Sequence, residues 1–167
     1  MIADNTAYII REDDVIFTED IVHAMSDEYL YTCLHFVVLN GNMTFQIGIK
    51  SFEAKTNDCV IIPNRPQIVR LSFSDDFMMT GVIVSRQLMQ VALPKSNYEP
   101  TGLIAMAQNP IMSLSAEESS QIIADFRYLR HRLHNIAHVY YAEIVARSIE
   151  VMVLTCITFI HAIIQKI

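Results

Sequence analysis

His131, His134 and His138 lie three and four residues apart, a spacing that can place imidazoles on one face of a helix. Imidazoles arranged in that way could bind a metal ion. Three arginines lie close to them along the chain and would repel a cation, at positions 127, 130 and 132. Asn135 falls between the histidines, where we expect it to break the helix. We therefore interpret the segment as an exposed basic patch and predict no metal site there.

A nucleophilic enzyme would pair a serine or cysteine with a histidine and an orienting acid. Cys33 and His35 are two residues apart on one predicted strand, so their side chains share a face. The strand is otherwise apolar or aromatic and has no acidic partner. We interpret Cys33 as a small core residue and His35 as a buried, hydrogen-bonded histidine. Two acidic pairs fall at predicted turns, where aspartate caps the chain and is solvated: Asp13-Asp14 and Asp75-Asp76. We predict no catalytic residues.

The three cysteines, Cys33, Cys59 and Cys156, form no CxxC pair and have no regular spacing. Their positions along the chain predict neither a zinc site nor a disulfide scaffold. The first residues lack a basic segment followed by an apolar one, so no signal peptide is expected. Free thiols without a signal peptide favour a reducing cytoplasm.

The chain has 167 residues, a size typical of one domain. Twelve Lys and Arg residues against eighteen Asp and Glu residues give a formal net charge of −6, which argues against binding of a nucleic-acid backbone by this chain itself. Residues 151–164 are the most apolar segment. As a helix they would span about 21 Å, less than the ~30 Å hydrocarbon core of a bilayer. No membrane span is predicted.

Two halves with different periodicity are visible. Up to about residue 84, alternating patterns and frequent turn signals predict six or so short strands, in a sandwich or barrel. These strands cover residues 29–39, 43–47, 50–54, 59–62, 68–73 and 77–84. Beyond Ser85, which can cap a short helix over residues 86–92, the apolar period becomes helical. A linker over residues 95–114 precedes two longer helices, 116–134 and 138–164, the first opened by the capping box Ser115-x-x-Glu118.

The last predicted helix is apolar over most of its circumference, more than a helix with one buried face requires. It lies either centrally in a helical layer or against another subunit. We favour the second arrangement and expect a homodimer. The residues predicted at its interface are Val153, Ile157, Ile160 and Ile164.

The first half resembles the cupins, which are small jelly-roll barrels. The resemblance rests on a skeleton of turn residues, Gly41, Gly48, Asp58, Pro63 and Pro66. Metal-dependent cupins bind their ion through three histidines and a glutamate. This sequence has Leu34 where the glutamate is expected, Gln67 or Ile68 where the last histidine is expected, and no His-x-His over residues 26–30. The resemblance implies a cupin-like barrel without a metal site.

The two halves together resemble the AraC-family transcription regulators. The matching motifs are Asn57-Asp58 before a run ending Ile62-Pro63-Asn64, Ser74-x-Asp76-Phe77 leading towards Ser85, and Tyr141-x-Glu143-Ile144 opening the last helix. In that family a cupin-like domain senses a small molecule, two helices dimerise, and a separate C-terminal domain reads DNA.

The resemblance to that family implies an α+β fold, a small cupin-like β-barrel (jelly roll) followed by two C-terminal α-helices. Residues 1–84 would form the effector-sensing barrel, with an N-terminal arm over residues 1–20. Residues 85–167 would form the helical dimerisation region packed on it. The DNA-binding part would be absent from this chain.

The barrel interior is where this resemblance places a ligand. With Leu34 facing inward, Thr32, Phe36 and Phe45 also face inward, and Arg65 and Gln67 are the polar candidates. An apolar lining is equally typical of a filled core, so both interpretations stay open.

The leading hypothesis is therefore a non-enzymatic sensing and dimerisation domain that binds a small-molecule effector and needs no cofactor. Such a chain would contact DNA only through another domain. One alternative is a metal-free cupin-fold isomerase or epimerase, which would need an acid–base pair inside the barrel. The other is a purely structural dimer module with a filled barrel.

Overall fold

The structure, a computed structural model, describes residues 8–93 and 105–165. Its strands are β1 (Val15–Thr18), β2 (Cys33–Asn40), β3 (Asn42–Ile47), β4 (Lys50–Lys55), β5 (Cys59–Ile62), β6 (Val69–Phe73), β7 (Met78–Val84) and β8 (Ile111–Met112). Its α-helices are α1 (Ile21–Ala24), α2 (Arg86–Ala92), α3 (105–108), α4 (Ala116–Leu133) and α5 (Tyr141–Gln165). The predicted α+β class is confirmed.

The strands form two antiparallel sheets. The larger sheet has the order β1-β7-β2-β5-β8, and the smaller one has the order β4-β3-β6. β2 and β7 approach closely because Gly81 lies opposite Phe36, where an added Cβ would come within 2.5 Å of the Phe36 Cβ. Gly41, with a φ of +79°, makes the turn between β2 and β3 that the sequence predicts.

The fold has three layers, with the larger sheet in the middle. One face of this sheet packs against the smaller sheet, and the buried side chains between them include Leu34, Phe36 and Phe45. The other face packs against α2, α4 and α5, through residues such as Cys59 and Val82. Alternate residues of β2 therefore point into two different cores.

The two sheets differ from the predicted small barrel in their hydrogen bonding. Among the described residues the strands pair within each sheet, and no closed ring of strands is present. The strand predicted over residues 29–39 also begins later, at Cys33, because Asp27–Tyr29 forms a 3-10 turn and Tyr31 has a φ of +66°. The predicted linker contains α3 and β8, and β8 pairs with β5.

Residues 8–14 are attached to the larger sheet through the side chain of Asp14. Its carboxylate accepts hydrogen bonds from the Arg11 main-chain N–H at 2.7 Å, the Ser85 hydroxyl at 2.5 Å and the Tyr8 hydroxyl at 2.9 Å. Burial acts to raise the pKa of Asp14, but these hydrogen bonds outweigh it and lower the pKa. The expectation of a solvated turn residue is thus wrong for Asp14, which is buried.

The helices α4 and α5 pack on each other, and α5 also packs on α2. The capping box predicted at Ser115 and Glu118 is present, with main-chain to side-chain distances of 3.1 and 2.8 Å. Within the described part of the chain, no helix combines the length and apolar character that a membrane span requires.

Candidate functional site

The sequence-predicted ligand residues occupy different environments in the structure. Phe36 and Phe45 are 0% and 1% exposed and lie in the apolar cluster between the two sheets. Thr32 is half-buried, and its hydroxyl donates a hydrogen bond to the Tyr29 carbonyl at 2.7 Å. Gln67 is exposed. Their role in ligand binding stays a prediction.

Arg65 is fully buried, and the described hydrogen bonds of its guanidinium go to main-chain carbonyls. It donates to Tyr29 at 3.2 Å, to Met25 at 3.4 Å, to Pro66 at 3.0 Å and to Ser26. Burial lowers the pKa of this guanidinium. The side chain joins the segment after β5 to the turn that precedes β2, which is a structural role.

An open cleft of about 530 Å³ lies between the larger sheet and α4. The sheet contributes residues from the ends of β1 and β2 and from β7, and α4 contributes one of its faces. The lining residues are Phe17, Thr18, Glu19, Leu39, Thr80, Ile123, Phe126, Arg127 and Arg130. This volume is within the range of small-molecule sites.

The cleft combines positive charge with aromatic surface. Arg127 and Arg130 outnumber Glu19, its one acidic lining residue, so the lining carries a formal charge of +1 on a chain whose net charge is −6. The Arg130 guanidinium lies 5.5 Å from the centre of the Phe17 ring, a cation–π contact that holds it over the sheet edge. Such a lining suits a small anion with an apolar or aromatic body.

The helix period of α4 explains why the two arginines reach this cleft. Ile122, Phe126 and Leu129 recur at helical spacing and are buried against the sheet and α5. Arg127 and Arg130 follow these buried residues by one position each, so they lie at the border between the buried stripe and solvent.

A second group of chemically active side chains lies under the helices. His35 from β2, Cys59 from β5 and Cys156 from α5 are all buried, and their ligand-type atoms lie within 4.8 Å of one another. His35 Nε2 is 3.3 Å from Cys156 Sγ, and the His35 ring packs edge-to-face on Phe126 with 4.8 Å between ring centres. Phe126 therefore separates this group from the cleft.

The ionisation of the three cysteines depends on this neighbourhood. Burial raises the pKa of Cys33 to about 12, and burial and the neighbouring Cys156 raise that of Cys59 well above its ordinary value. Burial also acts against ionisation of Cys156, but the Cys59 thiol and His35 outweigh it and lower its pKa to about 6. Cys156 is therefore the most acidic of the three thiols.

The histidines singled out from the sequence are placed differently. His131, His134 and His138 are exposed at the junction of α4 and α5, and His134 Nδ1 lies 2.7 Å from the Arg130 carbonyl oxygen. In residues 8–93 and 105–165 these histidines do not form a group of three possible metal ligands.

Three of the predicted interface residues face the core of their own chain. Val153, Ile157 and Ile160 are 7–8% exposed and belong to the cluster that α5 forms with the larger sheet. The side chain of Ile164 lies outside the described residues. The outward face of α5 instead carries Val151 and Leu154, which are 52% and 38% exposed.

Comparison with known proteins gives a likeness of fold. The sequence matches no protein family and no curated protein. Among solved structures, the chain is similar to the AraC-like transcriptional activator CuxR, with a TM-score of 0.52 and 14% sequence identity. The likeness covers 86% of this chain and 48% of that one. The chain thus has the fold of part of an AraC-like regulator and spans about half the length of CuxR.

The sequence alone predicts neither the cleft nor the buried group of His35, Cys59 and Cys156, and the physical reason is the same for both. Cys59 and Cys156 are far apart along the chain, and only the packing of α5 on the larger sheet brings them to His35. The cleft likewise joins β1 to α4, and β1 was not predicted as a strand. A usable signal was present in Arg127 and Arg130, two positive charges that directly follow the buried residues Phe126 and Leu129 of α4.

Proposed function

We propose that this chain is the ligand-sensing and dimerisation domain of an AraC-like transcription regulator, with a small anionic molecule as its effector. The observation that carries the proposal is the cleft between the larger sheet and α4, with its two arginines and two phenylalanines. The fold shared with an AraC-like activator supports a regulatory setting for that cleft. In this proposal the two facing sheets are a cupin-like jelly roll whose interior is filled by side chains.

The charge distribution supports an anionic effector. The surroundings are negative overall, so a locally positive cleft concentrates anions at one place on the surface. Two guanidinium groups can hold a carboxylate or phosphate through paired hydrogen bonds. Phe17 and Phe126 offer apolar contact to the body of the ligand.

The position of α4 suggests how binding would reach the rest of a regulator. This helix lines the cleft and also packs on α5. A ligand that binds more tightly when α4 has one position relative to β1 increases the population of that position. Because α4 packs on α5, α5 moves with it. We propose that α5 transmits the change to a DNA-binding domain outside this chain, in the cytoplasm, and we assign no enzymatic activity.

The role of the cleft is tested by a thermal-shift screen of small aromatic carboxylates and phosphates. A ligand at a hundred times its Kd adds about 2.7 kcal/mol to stability, which raises Tm by about 5–10 °C. Arg127→Ala and Arg130→Ala should each weaken binding about 10- to 150-fold, because each removes a charge-assisted hydrogen bond.

Arg132→Ala is the matched control, since Arg132 is exposed on the same helix and does not line the cleft. It should bind the ligand as the wild type does. If no compound of either class shifts Tm, the cleft is not an anion site, and a purely structural dimer module becomes the better account.

We also propose a homodimer formed through the outward face of α5, where Val151 and Leu154 are exposed side by side. Light scattering should give twice the chain mass of 19.1 kDa. Val151→Asp should return the mass of a single chain, because it places a charge at the centre of an apolar contact. Val91→Asp, at a similarly exposed valine on α2, should leave the dimer intact. A wild-type mass of 19.1 kDa at the highest soluble concentration contradicts the proposal.

A further inference from the structure

We propose that His35, Cys59 and Cys156 form a buried binding site for a zinc ion. The three residues come from β2, β5 and α5, so the site joins the larger sheet to the last helix. Their ligand atoms lie within 4.8 Å of one another, and His35 Nε2 is 3.3 Å from Cys156 Sγ. Nitrogen and sulfur donors from histidine and cysteine are the set that Zn²⁺ prefers.

The spacing of these atoms suits tetrahedral coordination. Bonds of about 2.0–2.1 Å to nitrogen and about 2.3 Å to sulfur place neighbouring ligand atoms about 3.5–3.8 Å apart. The 3.3 Å between His35 and Cys156 is close to that value, and the other two separations are at most 4.8 Å. Small side-chain movements would bring all three atoms to one ion.

Asp125 is the second observation that points to a cation. It lies on α4, and its Oδ2 is buried with no hydrogen-bond partner among the described residues. A buried carboxylate oxygen without a partner is costly. The Asp125 carboxylate is near enough to Cys156 and His35 for its charge to act on both, although it lies outside the group of atoms within 4.8 Å of one another. A Zn²⁺ ion would attract it as a nearby charge, or as a fourth ligand after a side-chain movement.

The charge balance favours Zn²⁺ over Cu⁺. Two thiolates and a neutral imidazole cancel the charge of Zn²⁺, so the Asp125 carboxylate leaves one negative charge in the buried site. With Cu⁺ the same ligands would leave two.

A bound ion would fix α5 against the larger sheet. Cys156 is on the inward face of the helix whose outward face carries Val151 and Leu154. If the proposed function holds, metal occupancy sets how firmly α5 presents that face to a second copy. The metal site itself depends on neither the effector nor the dimer.

The test is titration of the reduced, chelator-treated chain with Co²⁺, followed by competition with Zn²⁺. We expect one Co²⁺ per chain, with the thiolate charge-transfer and visible bands of a tetrahedral site, and complete displacement by Zn²⁺. Cys59→Ser and Cys156→Ser should each lose the charge-transfer intensity in part and weaken Zn²⁺ binding, and Cys33→Ala should change neither. Asp125→Asn should weaken binding about 10- to 100-fold.

Saturating Zn²⁺ should also raise the Tm of the wild type by about 5–10 °C at a hundred times its Kd. Circular dichroism identifies any cysteine variant that does not fold. His35→Gln, which also removes one proposed zinc ligand, then takes the place of that variant. Absence of the bands in the wild type, their persistence in a Cys59→Ser, Cys156→Ser double variant, or binding of Cu⁺ alone overturns the zinc site. Arg127→Ala should keep the cobalt spectrum, which separates this site from the proposed cleft.

Discussion

Replacing Arg65 by methionine should lower the free energy of unfolding by about 3–5 kcal/mol and Tm by about 6–20 °C. Methionine retains much of the apolar volume but removes every hydrogen-bond donor. The carbonyls of Met25, Ser26, Tyr29 and Pro66 then lose their partner in a buried place. Each buried carbonyl left without a partner costs about 1–3 kcal/mol.

Urea unfolding of Arg65→Met and of Arg86→Met, an exposed arginine at the start of α2, provides the measurement and its control. The Arg86 variant should stay within about 0.5 kcal/mol of the wild type. If Arg65→Met is as stable as the wild type but loses effector binding, the structural role is wrong and Arg65 serves the ligand.

Phe36→Ala should cost about 3–5 kcal/mol of stability, because it removes a large side chain from the filled space between the two sheets. Phe36 is fully buried there, and its Cβ lies opposite Gly81, so the sheet has no simple way to collapse into the vacated space. The variant leaves the cleft arginines unchanged, so any folded fraction should still bind the effector.

Denaturant unfolding again measures this effect, with Phe73→Ala as the control. Phe73 is 45% exposed on β6, an edge strand of the smaller sheet, and its loss should cost far less. A Phe36→Ala protein of wild-type stability with altered ligand affinity would show that the space between the sheets is an open pocket.

Local features of the fold could be predicted because each depends on a few adjacent residues. Cys59–Ile62 and Arg86–Ala92 begin and end where the sequence predicts, since a turn, a proline or a capping serine marks each end. The capping box at Ser115 is a local motif of the same kind. The α+β fold class could be predicted from the change in the spacing of apolar residues near Ser85.

Features that depend on distant contacts could not be predicted. Residues 29–32 read as strand, but the turn there is held by Arg65, which is far along the chain. β1 and β8 are short and become strands through pairing with β7 and β5. Nothing in the alternation of residues distinguishes one closed barrel from two facing sheets, because both need the same period.

In the candidate sites, too, local features could be predicted and features that depend on distant contacts could not. His35 could be placed in a buried strand from its apolar neighbours, as the structure confirms. Its partner Cys156 could not be predicted, since the rotation of α5 about its axis decides which of its residues face the sheet. Val153, Ile157 and Ile160 are predicted at a subunit interface because an apolar helix face fits a partner as well as it fits a core, and in this chain they lie in the core.

Amide hydrogen exchange, measured with and without the ligand found by screening, shows directly whether the effector binds between the larger sheet and α4. We expect slower exchange at residues 15–19 and 123–130, with little change in the smaller sheet. Protection confined to residues 42–55 would instead place the ligand between the two sheets and overturn the proposed cleft.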